Sequence, residues 1–354
     1  MALAATAQPQ VTWLERQHDF GVFKEENCKV SCDMALVNTG NAPLIVVKAI
    51  AGCGCTGISY PESPIAPGDT ASVSISYNPS GRPGQFSKEV LIFTNTVPQR
   101  SLLKITGNVI PTAATLDQQY PLRAGSLCIS QQNIPFGELV KGKNKTLFLS
   151  AYNASTDTLL LDVSGDKPHL HPAIVPDTVP PGQVTALTVH YLAGHAPQWG
   201  LNTDTLTLSS RPLRQPSDVM ADSARIYVMA QVLEDFDRLT DEQRDRAPVV
   251  SMGCGDRIDF GTMAAGETVK RSFTITNKGK DVLVIRRLWV PDGEGITVSA
   301  NRMEIKHGKS ATVIITANTA QVDGEMLNVP LTLMCNDPET PRQTIRLVGI
   351  IDRK

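Results

Sequence analysis

The sequence has no net charge to speak of, since 33 lysines and arginines face 35 aspartates and glutamates over 354 residues. That balance excludes a chain-wide field drawing the protein to nucleic acid or anionic lipid, so no nucleic-acid partner is expected. Nor is there an apolar run near the roughly 20 residues that a membrane helix needs, and no transmembrane segment is expected. Gly-x-Ser-x-Gly, His-Glu-x-x-His and Walker-type loops are all missing. Their absence removes the commonest hydrolase, metalloprotease and nucleotide-binding signatures. Helical spacing is also scarce beside the apolar/polar alternation of half-buried strands.

What the chain does have is a threefold repeat. Phe-Gly recurs at Phe20-Gly21, Phe136-Gly137 and Phe260-Gly261, an Asn closing a β-rich run at Asn38, Asn153 and Asn277, and a turn glycine at Gly68, Gly182 and Gly308. The landmarks advance by 114 to 116 residues from the first repeat to the second, and by 124 to 126 from the second to the third. So constant an offset marks tandem units of roughly the size of one independently folding domain.

Within each repeat, runs such as Ala71-Ser72-Val73-Ser74-Ile75-Ser76-Tyr77 and Arg271-Ser272-Phe273-Thr274-Ile275-Thr276-Asn277 alternate strictly, as strands with one dry face do. Asn-Thr-Gly, Pro-Gly and Asn-Lys-Gly turns separate them. The expected fold is all-β, three tandem Ig-like antiparallel β-sandwich domains at 11–111, 127–235 and 248–354. Residues 112–126, with Pro121 and Gly125, read as an extended linker, whereas 236–247 contains the Thr240/Gln243 spacing of a capping box and reads as a short helical linker. Residues 1–10, Ala-rich, read as the remnant of an export signal or a disordered terminus.

Phe20-Gly21, Asn38-Thr39-Gly40, Pro43-Leu44, Cys53-Gly54-Cys55-Thr56, Ile65-Ala66-Pro67-Gly68 and Gly84-Gln85-Phe86 together resemble the bacterial domain of unknown function 1573 over residues 11–111. That family is itself similar to Ig-like modules of the hydin and major-sperm-protein type. The resemblance implies an Ig-like fold and export to the periplasm or cell surface, and no activity. Repeats two and three keep the landmarks and lack Cys-Gly-Cys-Thr.

Four cysteines of repeat one, Cys28, Cys32, Cys53 and Cys55, form the one constellation with chemical potential. Cys28 and Cys32 share parity with Met34 and Leu36, and Cys53 and Cys55 with Ile45 and Val47 if that strand stays regular. A hairpin at Asn38–Pro43 would set Cys28 opposite Cys53; an arch between sheets would bring the two faces together across the core. Either way the sulfurs are expected to converge, as a disulfide such as Cys28–Cys53, as packing thiols, as a Zn²⁺ or Cu⁺ site, or as a redox pair. The spacing is not that of a zinc finger, and no cofactor is expected. Cys254 and Cys335 read as two buried thiols, with a bridge between them as the alternative. His169 and His171, two apart, suggest a second metal site that lacks a third ligand at fixed spacing.

Loops at the ends of tandem sandwiches are recognition surfaces. The candidates are 78–86, with Arg82 and Gln85, and 195–202, with His195 and Trp199. Trp199 could stack on a sugar or fold back over its own sandwich; Trp289 reads as core or inter-domain packing. Asp-Thr/Ser-apolar triplets beginning at Asp69, Asp157, Asp177, Asp204 and Asp222 resemble O-glycosylation sites of exported bacterial proteins and are also ordinary turn-into-strand chemistry. Taken together these features predict a non-catalytic exported interaction or cell-envelope scaffold, whose partner is a protein or envelope component. The alternatives are a periplasmic thiol- or metal-handling protein using the domain 1 cysteines, and a carbohydrate-binding accessory protein using Trp199.

Overall fold

The computed structural model describes residues 7–216, 221–290 and 295–353; most of the expected export remnant, residues 1–6, lies outside them. The described chain is nearly all β. Its first third contains β1 (Val11–Trp13), β2 (Gln17–Lys24), β3 (Val30–Asn38), β4 (Val46–Ala51), β5 (Thr56–Ser59), β6 (Thr70–Tyr77), β7 (Gly84–Thr94) and β8 (Arg100–Ile110). They form two sheets, ordered β1-β3-β6-β5 and β2-β8-β7-β4. After helix α1 (Ala113–Gln119) come β9 (Leu122–Ala124), β10 (Leu127–Ile129), β11 (Asn133–Val140), β12 (Asn144–Asn153), β13 (Leu159–Ser164), β14 (Leu170–Val175), β15 (Thr178–Val179), β16 (Val184–Leu192), β17 (Gly200–Pro212) and β18 (Asp222–Leu233). These too make two sheets, β14-β16-β12-β10-β9 and β11-β18-β17-β13-β15.

Helix α2 (Asp241–Arg246) then leads into β19 (Val250–Met252), β20 (Arg257–Ala264), β21 (Thr268–Asn277), β22 (Leu283–Trp289), β23 (Ile296–Ala300), β24 (Glu304–Ile305), β25 (Ser310–Asn318), β26 (Met326–Cys335) and β27 (Arg342–Asp352). Their sheets run β19-β21-β25-β23 and β20-β27-β26-β22-β24. Each third has its own apolar core between its two sheets. The alternation read from the sequence is the cause: Met34 and Leu36 of β3 and Val73 and Ile75 of β6 point inward against Val90, Ile92, Leu103 and Ile105 of the opposite sheet.

Two expectations need correction. The sheets are not wholly antiparallel, because β2 runs parallel to β8, β11 to β18 and β20 to β27. A parallel partner needs a long connection, and here nearly the whole unit supplies it, a pairing that local turn residues do not encode. The Phe-Gly landmark lies on this parallel strand at a bulge, where Gly21, Gly137 and Gly261 take φ of 65°, 69° and 71°. Residues 112–126, expected to be extended, hold α1 and β9. The prolines sit outside the helix, at 111 before its cap and at 121 beyond its end, and the Thr112 side chain caps it by accepting from Thr115 N at 3.1 Å. The expected capping box of α2 is present, with Thr240 and Gln243 exchanging both hydrogen bonds.

The Asn and Gly landmarks form one bonded corner, repeated three times. Asn38, Asn153 and Asn277 are fully buried. Asn38 Nδ2 donates to Ala42 O and Ile65 O at 2.8 and 2.9 Å while its Oδ1 accepts from Gly40 N at 3.0 Å. Asn153 donates to Asp157 O and Val179 O and accepts from Ser155 N; Asn277 donates to Asp281 O and Ile305 O and accepts from Gly279 N. The main-chain carbonyls of the three asparagines accept from the N–H of Gly68, Gly182 and Gly308 at 2.8, 2.9 and 2.9 Å. Replacing any one Asn by Ala leaves buried main-chain groups unpaired, and each such variant is expected to lose roughly 2–5 kcal/mol, measured by denaturant unfolding. A loss below half a kcal/mol would show that the corner is not structural.

Candidate functional site

The four cysteines of the first unit do not form one cluster. Cys53 and Cys55 are joined to each other by a disulfide, with Cα atoms 5.3 Å apart, and Cys28 and Cys32 are free thiols. The expected Cys28–Cys53 bridge is therefore not made, and among the described residues no group of three or more metal-ligating side chains forms. Of the two geometries expected for the Asn38–Pro43 turn the structure has the arch, and the expected parity of the cysteines holds for Cys32 alone. Leu44 bridges Ile65 rather than Val37, so the Asn38–Pro43 turn arches between sheets, and β4 pairs with β7 through a bulge. Cys32 does face the core with Met34 and Leu36, but Cys28 lies past a 3-10 turn at Glu25–Asn27 with φ of 59° and is exposed.

The bridged pair sits in the loop 52–55, which carries the chain from β4, on the edge of one sheet, to β5, on the edge of the other. Cys55 is buried and Cys53 half-buried, both against the first core. Main-chain bonds fix the loop: Thr56 N donates to Cys53 O at 3.4 Å and Asn78 N to Cys55 O at 2.9 Å. The Thr56 hydroxyl, on a residue only 8% exposed, stands 3.6 Å from Cys53 Sγ and 3.8 Å from Cys55 Sγ. All of Cys-Gly-Cys-Thr is thus one local structure. Cys32 behaves differently, for burial, with Asp33 and Glu15 beside it, pushes its pKa up to about 11. Burial also raises Cys128 and Cys254, and takes Cys335 up to about 11. Cys254 and Cys335 remain unbridged.

The two candidate binding loops prove to be junctions. In loop 78–86, Gly81 N donates to Glu25 Oε1 at 2.7 Å and Gly81 O accepts from Gln119 Nε2 of α1 at 2.7 Å. Glu25 further accepts from Thr112 N and Thr115 Oγ1, both at 2.9 Å, and so ties α1 to the first unit. Arg82 and Gln85 stay exposed, the former donating to Ser80 O. From α1, Leu116 and Tyr120 pack with Cys128 and Tyr152 of the second unit. In loop 195–202, His195 is exposed, while Trp199 is half-buried with Lys141 Nζ 4.4 Å and the Arg286 guanidinium 5.1 Å from its ring centroid. Arg286 also holds Glu234 through two bonds of 2.6 and 3.0 Å, and Arg287 donates to Trp199 O and Leu201 O. Trp199 is therefore a wedge between the second and third units, and the sugar-stacking expectation loses its ring.

Each junction has a glycine at its closest approach. A Cβ at Gly84 would stand 2.7 Å from Val184 Cγ2 of the second unit, and one at Gly200 2.9 Å from Met334 Sδ of the third, and both residues have φ above 80°. Trp289 joins Gly200, Leu201 and Met334 around a shared cavity at the second junction, as expected of inter-domain packing. His169 and His171 do not share a ligand. His169 is buried and pairs through Nε2 with Asp204 at 2.9 Å, whereas His171 is exposed and pairs with Asp166. The polar interior of the second unit, Asp204 with Lys167 and His169, was not read from the sequence, although Asp204 interrupts the inward apolar parity of its strand.

A family model described as protein of unknown function, DUF1573, matches residues 11–109 and again 254–351. The chain belongs to this family. The third repeat, which the sequence likened to the family only through its landmarks, is thus matched by the family model as the first is, and the unmatched middle departs in a visible way. Asp19 and Asp259 accept from the bulge N–H of Gly21 and Gly261 at 3.1 and 2.7 Å, and Pro135 stands at that position in the middle. No curated protein matches the chain. Among solved structures, a protein of unknown function from Porphyromonas gingivalis W83 is 18% identical, covering 64% of this chain and 100% of its own, at a TM-score of 0.46. The ASH/PapD-like domain of human CEP192 is 14% identical over 32% of this chain and 92% of its own at 0.27, and the periplasmic chaperone SfaE 12% identical over 64% and 100% at 0.25. At such TM-scores these likenesses carry nothing over to this chain.

Under native conditions iodoacetamide is expected to modify Cys28 first and to reach Cys32, Cys128 and Cys335 only on unfolding, as read by peptide mass. Rapid native labelling of Cys32 would contradict its burial. Burial pushes the Glu25 carboxyl up, but its bonds from Gly81, Thr112 and Thr115 outweigh that and hold it below the ordinary carboxylate range. Because the folded value is the lower one, Glu25 contributes its stability above the unfolded pKa and loses it as pH falls through the folded pKa. Glu25→Gln should therefore destabilise the protein at pH 7 and flatten the loss of stability between about pH 5 and pH 3. Parallel pH curves for the two proteins would exclude this role.

Proposed function

We propose that the chain is a tandem array of three Ig-like β-sandwich domains, exported to the periplasm or cell surface, where it serves as a non-catalytic interaction or envelope-scaffold module. The observation that carries the reading is the bonding of both junctions. A scaffold must hold its units in fixed succession. Here the Glu25–α1 clamp and the Glu234–Arg286–Trp199–Arg287 wedge do so with hydrogen bonds and a guanidinium over an indole ring instead of free linker. Its partner is a protein or envelope component. A second reading, thiol handling by the first unit, is favoured by one feature, the Cys53–Cys55 bridge.

Osmotic-shock fractionation of the native host, followed with an antibody to the chain, is expected to recover it with the periplasmic or envelope fraction. Recovery with the cytosol would end the reading. For the junction itself, Arg286→Ala/Arg287→Ala should broaden the distance distribution in small-angle scattering while circular dichroism stays unchanged. An unaltered scattering profile would mean that the wedge does not set the shape of the array.

A further inference from the structure

The Cys53–Cys55 bridge is a poor staple. A disulfide restrains the unfolded chain more as the loop it closes lengthens, and this one closes Cys53-Gly54-Cys55 alone. Its surroundings fit another use. A side chain at Gly52 or Gly54 would meet no atom within 4 Å, so both glycines border open space and a partner's backbone can approach the bridge closely. Of the two sulfurs, that of Cys53 belongs to a half-buried residue and that of Cys55 to one only 6% exposed. Incoming groups reach Cys53 first.

Thr56 gives the decisive detail. Among the described residues its buried hydroxyl has the two bridge sulfurs as its hydrogen-bond neighbours, at 3.6 and 3.8 Å. A disulfide sulfur is a weak acceptor and a thiolate a strong one, so this donor is of most use after the bridge has opened. A hydroxyl donor beside a cysteine favours its thiolate.

We propose that Cys53-Gly54-Cys55-Thr56 is a thiol–disulfide exchange site that accepts two electrons from a dithiol, with Cys53 the attacked sulfur, Cys55 the leaving thiolate and Thr56 its hydrogen-bond donor. One thiolate of the dithiol attacks Cys53 Sγ; a mixed disulfide forms, the Cys53–Cys55 bond breaks, and Cys55 leaves as a thiolate that then takes a proton. The second thiol, deprotonated, attacks the first reductant sulfur. The mixed disulfide breaks, Cys53 leaves as a thiolate and is protonated, and the reductant departs as its own disulfide. Two electrons and two protons pass from the dithiol to the cysteine pair. The site goes beyond the scaffold reading, and an exported array could carry it or lack it.

The test treats the folded chain with dithiothreitol, quenches by alkylation and follows the peptide spanning Cys53 and Cys55 by mass. The peptide is expected to gain two labels while circular dichroism stays native. Thr56→Val should slow this roughly tenfold, the loss of one hydrogen bond to a charged group, and Thr56→Ser should restore it. With glutathione disulfide, Cys55→Ser should form an adduct at Cys53, and Cys53→Ser should leave Cys55 unmodified. A bridge that opens only on denaturation would overturn the proposal. So would equal rates for Thr56→Val and wild type, equal slowing by Thr56→Val and Thr56→Ser, or equal adduct formation by the two cysteine variants.

Discussion

Everything in this protein hangs from a buried side-chain amide. At the end of β3, β12 and β21 the chain must leave its sheet and cross the core, and the turn that does so carries main-chain groups away from water. Each such group must find a partner or destabilise the fold. Asparagine meets the need in one residue. Its NH₂ supplies two donors to two carbonyls of different segments, and its oxygen accepts the turn N–H two residues on. Aspartate at the same place would have no donor and a buried charge; glutamine would overshoot by a methylene. The bond from the turn glycine N–H to the asparagine carbonyl then anchors the next crossing, so one corner fixes where two sheets face each other.

That constraint explains what could be read in advance. The landmarks Asn38, Gly68 and their counterparts are spaced so evenly because they bond to one another, and the inward parity of Met34, Leu36, Val73 and Ile75 follows from the pleat. Parallel pairing of Phe20's strand with β8 was not legible, since it joins residues 86 or 87 apart through no local signal. The cysteine geometry failed for a local reason. Parity holds only along a regular strand, and Cys28 sits beyond a turn with a left-handed φ, while Cys53 and Cys55 lie in a loop past the bulge of β4. Of the two readings of Trp199, packing back over its own sandwich is the one the contacts support, and its second neighbour, Arg286 of the next unit, had no signal in the sequence.

The middle unit shows how far the frame tolerates change. In the first unit Tyr77 ends β6 and stacks on Phe86, two residues after Gly84, with centroids 3.8 Å apart. In the second, Tyr191 stands near the end of β16 in the same way, but the residue two after Gly200 is Asn202. Tyr191 lies against Phe136 and His169 instead, and Asp204 takes His169 and Lys167. Burial and the Asp204 charge push the Tyr191 hydroxyl up to about 12, and among the described residues neither that hydroxyl nor Asn202 Oδ1 finds a partner. An unpaired buried group costs roughly 1–3 kcal/mol.

The first junction and the disulfide loop meet at one end of the first unit. Cys55 O accepts from Asn78 N, Asn78 begins the loop whose Gly81 is held by Glu25 and Gln119, and Glu25 in turn holds the Thr112 N–H at the start of α1. A path of bonds is not by itself coupling, which requires an element with two arrangements. Its consequence is positional. Side chains that do chemistry act best when a rigid frame holds them, and loop 52–55 is bound at both ends to strand edges and to a clamped neighbour while its glycines leave one side open. The same bonding that holds the units in succession gives the Cys53–Cys55 bridge a fixed base.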